Sequence, residues 1–356
     1  MNRIKFILTL LIFALTTGCN FSASAPTPDL FATLQASTPS SITSPQATQP
    51  FATPIFNFST VTSTPASASA QTFVPSPSTT DQPSGHIVFT CQIFKNQGSE
   101  QICIMKADGS DFKRLTTENN IRHFYPSLAP DGQSVLYSAY LADNNYEIYR
   151  MDIGDGSVDR LTNLYGMDDA PEYSSDGQQL VFMHNPLPKD IYQLVLADRN
   201  GGNSGNISGI NGWDPTWSPD GKQILFASDK NGTNQLYTVR TDGSKLTRIT
   251  NLPAIRGRSD WSPDGQYIVT YSGEPWHREL YIMNADGSNV RQLTPSGGNS
   301  QGPSFSSDSK WVVFTAYFDH YNDDNGCEIY IIRIDGTDLR RLTNNDYCDY
   351  QPRWGP

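Results

Sequence analysis

The chain has 356 residues, of which 37% are hydrophobic and 17% are charged, with 25 Lys and Arg against 36 Asp and Glu. This acidic balance, a formal charge of −11, argues against a nucleic-acid partner, because binding to phosphates needs clustered basic residues. The five histidines are scattered and no pair of cysteines has close ligand spacing, so a zinc site is not expected either.

Residues 1–18 are typical of a bacterial lipoprotein signal peptide. Arg3 and Lys5 lie beside a ten-residue apolar run, 6–15, which is too short to span a bilayer. The run ends in Leu-Thr-Thr-Gly-Cys at 15–19, which resembles a lipobox, and this resemblance implies lipidation of Cys19. The alternative is an ordinary signal peptide in which Cys19 has no role. We expect an exported protein that is lipid-anchored at the cell membrane, on the cell surface or in the periplasm.

Residues 19–84 form a segment of a different composition, dominated by Ser, Thr, Pro and Ala, in which Asp29 and Asp81 are the charged residues. Such a segment buries too little apolar surface to offset its chain entropy, so it is predicted to be a disordered linker. As a coil it would span about 45 Å between its ends. We expect it to hold a folded domain away from the membrane.

An internal repeat covers the rest of the chain, residues 85–356. Its opening motif, in the form Pro-x-aromatic-Ser-Pro-Asp-Gly or a close variant, recurs about every 44 residues. The copies begin at Pro126, Pro171, Pro215, Ser259, Pro303 and Pro352. Each complete copy continues with two apolar runs separated by a polar loop, a tight turn of the Asp-Gly-Ser type and a Leu-Thr ending. A period of 40–50 residues that holds four short strands is typical of a β-propeller blade.

The sixth copy is divided between the two ends of this region. Pro352–Pro356 has an opening motif and no continuation, whereas Gly85–Thr90 has the continuation without an opening motif. Pairing these ends would close the ring and leave no open sheet edge. We therefore predict an all-β, six-bladed propeller, monomeric, with four antiparallel strands in each blade.

Strand direction places the loops of such a domain on two faces. The short Pro-Asp-Gly and Asp-Gly-Ser turns gather on one face, here called the turn face. The longer, variable loops and the connections between blades gather on the other, here called the loop face. Variable loops on a rigid scaffold are the usual place for binding.

The candidate binding residues lie on this loop face and around the central channel: His123, Phe124, Asp168, Asp169, Asp214, Arg258, Trp276, Gln301 and Tyr350. They could bind a peptide or a sugar, or their polar groups could simply form hydrogen bonds with water in the central channel. The recurring aromatic residues of the repeat, by contrast, are predicted to pack between blades: Tyr173, Trp217, Trp261, Phe305 and Trp354.

Four cysteines in the repeat region suggest two disulfides, as is common in exported domains. Cys91 and Cys103 lie on consecutive strands of one hairpin. Cys327 lies where a loop enters the third strand of the last complete repeat, and Cys348 lies in the loop that leaves it. We favour the pairs Cys91–Cys103 and Cys327–Cys348, with Cys91–Cys348 as the alternative.

Two local motifs partly match known catalytic or metal-binding motifs but do not meet their full requirements. Gly298–Gly302 matches the Gly-x-Ser-x-Gly nucleophile elbow, which needs a following helix, whereas here a strand is predicted. Asp319–Glu328 is rich in oxygen ligands but does not follow the spacing of an EF-hand loop. We expect no catalytic residues, metal or cofactor, with Ca²⁺ in this acidic loop as the alternative.

The opening motif, the Ile-Tyr-x-Met pattern of the second apolar run (Leu280–Met283 is one copy), the Asp-Gly-Ser turn and the Leu-Thr ending together resemble the TolB-type propeller repeat. The third blade departs from it, with Arg199–Gly202 at the turn and Ile207-Ser208 at the ending. The resemblance implies the six-bladed fold and a protein partner at the central opening. TolB itself is a soluble periplasmic protein with an additional amino-terminal domain, so membership of the Tol system is not implied.

Together these features predict a membrane-anchored binding module that is not an enzyme and whose partner is a protein or a cell-envelope glycan. Two alternatives remain: a glycan-active enzyme of the polysaccharide-lyase kind with a site on the same face, and a structural spacer of the envelope.

Overall fold

The computed structural model describes residues 82–93, 100–118, 120–142, 145–187, 191–255, 257–318 and 326–356. The predicted signal peptide, Cys19, nearly all of the linker and most of the acidic loop at 319–328 lie outside these ranges. The described residues form strands and turns without any helix, and so contain none that could cross a membrane.

Twenty-four short strands make up the domain. In chain order they are β1 His86–Gln92, β2 Glu100–Lys106, β3 Lys113–Arg114, β4 Arg122–Leu128, β5 Ser134–Ala142, β6 Asn145–Asp152, β7 Val158–Arg160, β8 Met167–Tyr173, β9 Gln179–Asn185, β10 Gln193–Asp198, β11 Gly205–Asn211 and β12 Trp213–Trp217. They continue as β13 Gln223–Ser228, β14 Gln235–Arg240, β15 Thr247–Arg248, β16 Asp260–Trp261, β17 Tyr267–Ser272, β18 Glu279–Asn284, β19 Arg291–Gln292, β20 Gln301–Phe305, β21 Trp311–Ala316, β22 Glu328–Arg333, β23 Arg340–Arg341 and β24 Asp349–Gly355.

These strands pair as consecutive antiparallel meanders, which confirms the all-β propeller. Four sheets have four strands each, and a fifth sheet has eight. The eight-stranded sheet contains the meanders β4–β7 and β8–β11, which are joined by a single parallel pair between Tyr146 and Met167. The six blades predicted from the repeat are therefore not present as six separate sheets.

The two ends of the domain pair with each other, as the divided repeat predicted. β24 lies antiparallel to β1, with Trp354 opposite Ile87. The Trp354 indole N–H donates to the Ser84 carbonyl oxygen at 2.8 Å, and its side chain is buried. The C-terminal strand begins at Asp349, three residues before the opening motif that revealed it.

The core lies between neighbouring meanders. Tyr173, Trp217, Phe305 and Trp354 are all at least nine-tenths buried, and each belongs to a cluster that joins residues of two adjacent meanders. Trp261 is half-buried and packs against a further cluster of this kind. The prediction that the recurring aromatic residues pack between blades is confirmed.

The Leu-Thr ending has a structural explanation. The Ile148 backbone N–H donates to Thr162 Oγ1 at 2.9 Å, and the Thr162 hydroxyl donates to Glu147 Oε2 at 2.6 Å. This side chain ties the outer strand of the meander to its third strand. The threonine Oγ1 accepts a backbone N–H in the same way at Thr116, Thr250, Thr294 and Thr343.

Two disulfides stabilise the closing region of the ring. Cys91 is bonded to Cys103 across the β1–β2 hairpin, with a Cα–Cα distance of 5.9 Å. Cys327 is bonded to Cys348, with a Cα–Cα distance of 4.5 Å. This is the predicted pairing, and the alternative Cys91–Cys348 bond is not formed.

Candidate functional site

The innermost strands share an unusual backbone feature near the propeller axis. A register shift interrupts the pairing of β4, β8, β12, β20 and β24 with their neighbours. Within each shift the residue before the motif proline has a left-handed backbone, with φ between 51° and 58°. These residues are Tyr125, Ala170, Asp214, Gly302 and Gln351. A bulge of this kind bends a strand and re-aims its side chains.

Because the bulges are part of the strands, most of the predicted site residues lie on strands rather than on connecting loops, which corrects the sequence-based placement. His123 and Phe124 are in β4, and Asp168 and Asp169 are in β8. Asp214, Gln301 and Tyr350 are in β12, β20 and β24, while Arg258 lies two residues before β16.

Arg258 crosses the centre of the ring. Its Nη2 donates to the Pro126 carbonyl oxygen at 2.9 Å, and its own backbone N–H donates to Asp214 Oδ2 at 3.0 Å. The guanidinium lies 5.4 Å from the centre of the Tyr125 ring. Only 5% of Arg258 is exposed, and burial, followed by repulsion from Arg353, lowers its pKa to about 9. Arg258 is therefore a buried residue that connects inner strands, and its predicted part in binding stays a prediction.

Arg353 makes a second set of cross-axis contacts. Its guanidinium lies 3.3 Å from Glu172 Oε2 and 3.7 Å from Asp260 Oδ2, and it donates to the Pro303 carbonyl oxygen at 3.2 Å. The Thr216 hydroxyl donates to Glu172 Oε1 at 2.6 Å. This one network connects five of the innermost strands.

This network was not predicted from the sequence, although the sequence contains a signal for it. Glu172, Asp260 and Arg353 all occupy the second position of the opening motif, which the other copies fill with Ser or Thr. This position faces the axis in every repeat, where a charged side chain is largely removed from water. Opposite charges at this position are therefore expected to pair across the ring.

Buried carboxyl groups lie next to the arginines on the same axis. Burial, with smaller contributions from the neighbouring Asp168 and Asp214, raises the pKa of Asp169 to about 7. Burial also raises the pKa of Asp214, which Arg258 opposes. Asp168 is fully buried, and its Oδ1 lies 2.6 Å from Nδ1 of His184. The structure thus brings Asp168, Asp169, Asp214 and Arg258 together.

The opening of the loop face has an aromatic rim. Phe124 and Tyr146 lie 6.2 Å apart between ring centres, and the Arg122 guanidinium lies 5.0 Å from the Phe124 ring. Tyr350 is close to both Arg122 and Tyr146, and its burial raises its pKa well above the usual value. The sequence analysis missed Arg122 and Tyr146, which lie at the loop-face ends of their strands.

A second aromatic pair lies farther around the same face. Trp276 packs edge-on against Tyr317 at 5.3 Å between ring centres, and both side chains are half-buried. Near them, Arg278 Nη1 donates to Gln301 Oε1 at 2.7 Å. His123 has a different environment: it is 3% exposed, contacts Tyr137 edge-on, and has a pKa lowered by burial.

No group of three or more His, Cys, Asp or Glu side chains within the described ranges is arranged to hold a metal ion. Ser300, the serine of the nucleophile-elbow match, is fully buried and is followed directly by strand β20. The local structure therefore lacks the exposed serine and the helix that an elbow requires.

Comparison with known proteins agrees with this architecture. Residues 163–316 match the family model described as TolB beta propeller domain. The chain is 29% identical over 131 residues to an uncharacterized protein of Agrobacterium fabrum, covering 37% of this chain and 44% of that protein. It is 31% identical over 175 residues to the Tol-Pal system protein TolB of Francisella tularensis subsp. mediasiatica, covering 35% of this chain and 40% of that protein. The chain thus spans less than half the length of these curated relatives.

Two solved structures share the fold. TolB from Acinetobacter baumannii superposes with a TM-score of 0.67 at 22% identity, over 77% of this chain and 67% of that chain. A putative TolB from Agrobacterium tumefaciens superposes with a TM-score of 0.60 at 20% identity, over 77% of this chain and 99% of that chain. Residues 163–316 are therefore similar to the TolB β-propeller domain, and the solved structures show that the folded part shares the propeller fold.

Proposed function

We propose that this protein is an exported, lipid-anchored binding module that holds a protein partner on its loop face and catalyses no reaction. The proposed organisation is a signal peptide at 1–18, lipidation at Cys19, a linker to residue 84 and a propeller at 85–356. The curated relative named as a Tol-Pal system protein supports a protein partner in the cell envelope, although the chain spans only 40% of its length.

We further propose that the propeller has six blades. Dividing the eight-stranded sheet at the single Tyr146–Met167 pair yields two meanders with the same strand order as the separate sheets. The five bulges before the motif prolines and Arg258 at the remaining position would then mark six equivalent inner strands.

The observation that carries the binding proposal is the difference between the two faces. The turn face repeats one arrangement, in which an Asp side chain accepts from the backbone two residues later, as at Asp220, Asp242, Asp286 and Asp335. The loop face instead has half-buried aromatic side chains next to arginines, including Tyr146, Trp276, Tyr317 and Tyr350. Aromatic and arginine side chains are the groups enriched at the energetic centres of protein interfaces.

Site-specific photo-crosslinking in membranes would test this proposal. A photoreactive phenylalanine analogue is placed at Trp276 or Gln301 on the loop face, and at Lys222 or Ser288 on the turn face as matched controls. We expect the same adduct from both loop-face positions and none from the controls. Adducts only from the turn face would overturn the assignment of faces, and equal labelling from all four positions would favour a spacer.

Membrane attachment has its own test. A Cys19→Ser variant is expected to move from the detergent phase to the aqueous phase in detergent partitioning, with an unchanged melting temperature. A variant that still partitions with detergent would show that a lipid on Cys19 is not the anchor. The glycan alternative is tested by measuring the melting temperature of the purified wild-type propeller with and without a candidate glycan. A shift in melting temperature would support that alternative.

A further inference from the structure

A cavity of about 280 Å³ lies on the turn face, where the meander β4–β7 meets the meander β8–β11. Three turns form its walls: residues 129–131 follow β4, residues 176–178 follow β8, and Arg199 follows β10. Tyr173, the last residue of β8, completes the lining. Because the turn face otherwise repeats one arrangement, the residues that depart from the motif here decide what this cavity can bind.

Tyr173 is the first of these departures. It occupies the position that holds a tryptophan in three other copies of the repeat, Trp217, Trp261 and Trp354, whose indole N–H groups donate to backbone carbonyl oxygens. The Tyr173 side chain is only 5% exposed, and Arg150 lies near its hydroxyl, but this hydroxyl makes no hydrogen bond among the described residues. A buried hydroxyl without a partner is unfavourable unless water or a ligand satisfies it.

Arg199 is the second departure. The other copies have an uncharged residue at this turn position, and its backbone N–H makes the same hydrogen bond in each: Ala107, Ile153, Thr241, Ala285 and Ile334. The Arg199 backbone N–H donates to the Gln178 carbonyl oxygen at 2.9 Å, which fixes this residue beside the cavity. Its side chain is exposed, and its guanidinium forms no ion pair with any residue that the structure describes. Its N–H donors are therefore available to a ligand.

Two carboxylates supply acceptors on the other walls. Asp131 Oδ1 accepts from the Gln133 backbone N–H at 2.9 Å, and Asp176 Oδ1 accepts from the Gln178 backbone N–H at 3.0 Å. These bonds orient both carboxylates and leave the second oxygen of each outside the turn hydrogen bond. Within the described ranges neither carboxylate forms an ion pair. The cavity thus has two acidic groups and one basic group that are not paired with each other.

This combination favours hydroxyl groups as the ligand. A hydroxyl donates to a carboxylate and accepts from a guanidinium, so neighbouring hydroxyls can use Asp131, Asp176 and Arg199 together. A cationic ligand would lie beside Arg199, and an anionic ligand would lie beside two carboxylates. Ala129 and Pro130 add apolar surface for the C–H groups of a ring. Ligand pockets usually start at about 300 Å³, so the size fits a single ring rather than a longer molecule.

We propose that this cavity binds one neutral sugar unit, whose hydroxyl groups donate to Asp131 and Asp176 and accept from Arg199. The site shares no residue with the proposed partner site on the loop face, so it is a second binding function that does not depend on the first. A free monosaccharide and an exposed residue of an envelope glycan present the same hydroxyl chemistry, and the experiment separates these two sources.

Saturation-transfer difference NMR on the full-length protein, in a detergent without a sugar headgroup, tests the proposal. The sugar probes are D-glucose, D-galactose, D-mannose and N-acetyl-D-glucosamine, and the charged probes are acetate and ethylammonium. We expect at least one sugar to bind with a dissociation constant on the order of millimolar, which is usual for a ligand of this size. Stronger binding of the matching tetrasaccharide would identify a glycan as the source, and equal binding would identify a free sugar.

Two variants with matched controls locate the site. Arg199→Ala and Asp131→Asn should each weaken sugar binding by about tenfold or more, the usual effect of losing a hydrogen bond to a charged group. Both should keep the wild-type melting temperature, because other copies have alanine at the Arg199 position and asparagine retains the acceptor oxygen of the turn. Thr241→Ala and Asp264→Asn, at the equivalent positions of other copies, should bind like the wild type.

Three results would overturn the proposal. The first is that none of the sugars binds at concentrations far above millimolar. The second is sugar binding that the two site variants leave unchanged, or that the controls weaken equally, since either would place the sugar elsewhere on the protein. The third is that acetate or ethylammonium binds, and no sugar does, in a way that Arg199→Ala or Asp131→Asn removes, because the ligand would then be charged.

Discussion

Arg258 donates a hydrogen bond across the propeller to the carbonyl oxygen of Pro126, 132 positions earlier in the chain. Its backbone N–H also donates to the Asp214 side chain, so Arg258, just before β16, connects to both β4 and β12. The Arg353 contacts lie across the same axis. Charged side chains therefore pair across the axis of this propeller.

Replacing Arg258 should destabilise the domain. An Arg258→Ala variant removes the side-chain donor to the carbonyl oxygens of Pro126 and Gln351 and the positive charge beside the buried Asp214, whose backbone hydrogen bond remains. Removing one member of a buried charge pair typically costs about 3–5 kcal/mol. Urea denaturation followed by tryptophan fluorescence would measure the loss in the free energy of unfolding. Lys222→Ala on the turn face is the control and should change it by about 0.5 kcal/mol or less. A loss for Arg258→Ala as small as that of the control would show that the cross-axis bonds do not stabilise the ring.

The buried carboxyl of Asp169 predicts a specific dependence of stability on pH. Its folded pKa of about 7 lies above the unfolded value of about 3.9. Between these values the folded state binds the proton more tightly, so the folded state loses stability as pH rises from about 4 to about 7. The loss is complete above the folded pKa.

An Asp169→Asn variant lacks this penalty. We expect it to be more stable than the wild type at pH 8, by on the order of 1–3 kcal/mol, with the difference shrinking toward pH 4. Urea denaturation at a series of pH values would measure it, with the exposed Asp229→Asn as control. A difference that is constant with pH would show that Asp169 is ionised in the folded state throughout.

The C-terminal strand should be essential for the whole ring. Trp354 is buried in the cluster that also contains Ile87 and Trp311, and Trp354→Ala should lower the free energy of unfolding by about 3–5 kcal/mol. Deleting Pro352–Pro356 also removes three of the five residue pairs between β24 and β1 and should abolish cooperative unfolding. Calorimetry would detect both effects. A truncated protein with the wild-type melting temperature would refute closure of the ring by β24.

The two disulfides should contribute unequally to the free energy of unfolding. Cys327–Cys348 closes 21 residues and Cys91–Cys103 closes 12. In the chain-entropy description each bond is worth about 2–4 kcal/mol, and the longer loop is favoured by about 0.5 kcal/mol. Paired Cys→Ala variants, compared by urea denaturation, would show the order. A larger loss from the 12-residue loop would indicate that native contacts, rather than chain entropy, dominate.

The sequence by itself determined the propeller, the pairing of its ends, the two disulfides and the residues that pack between meanders. These features follow from local periodic signals: the 44-residue repeat, the tight turns and the spacing of aromatic residues. They also predicted which loops share a face, since strand direction alone decides it.

Only the tertiary structure decided which charged residues meet at the axis. The sequence placed Arg258 near the central channel, but only the structure shows that it is buried there and bonded to Pro126, a residue far away in the chain. The Tyr146–Met167 pair that joins two meanders likewise involves residues that the repeat motif does not contain. A repeat motif specifies the contacts within each copy, whereas the contacts across the ring exist only after all the copies have closed around one axis.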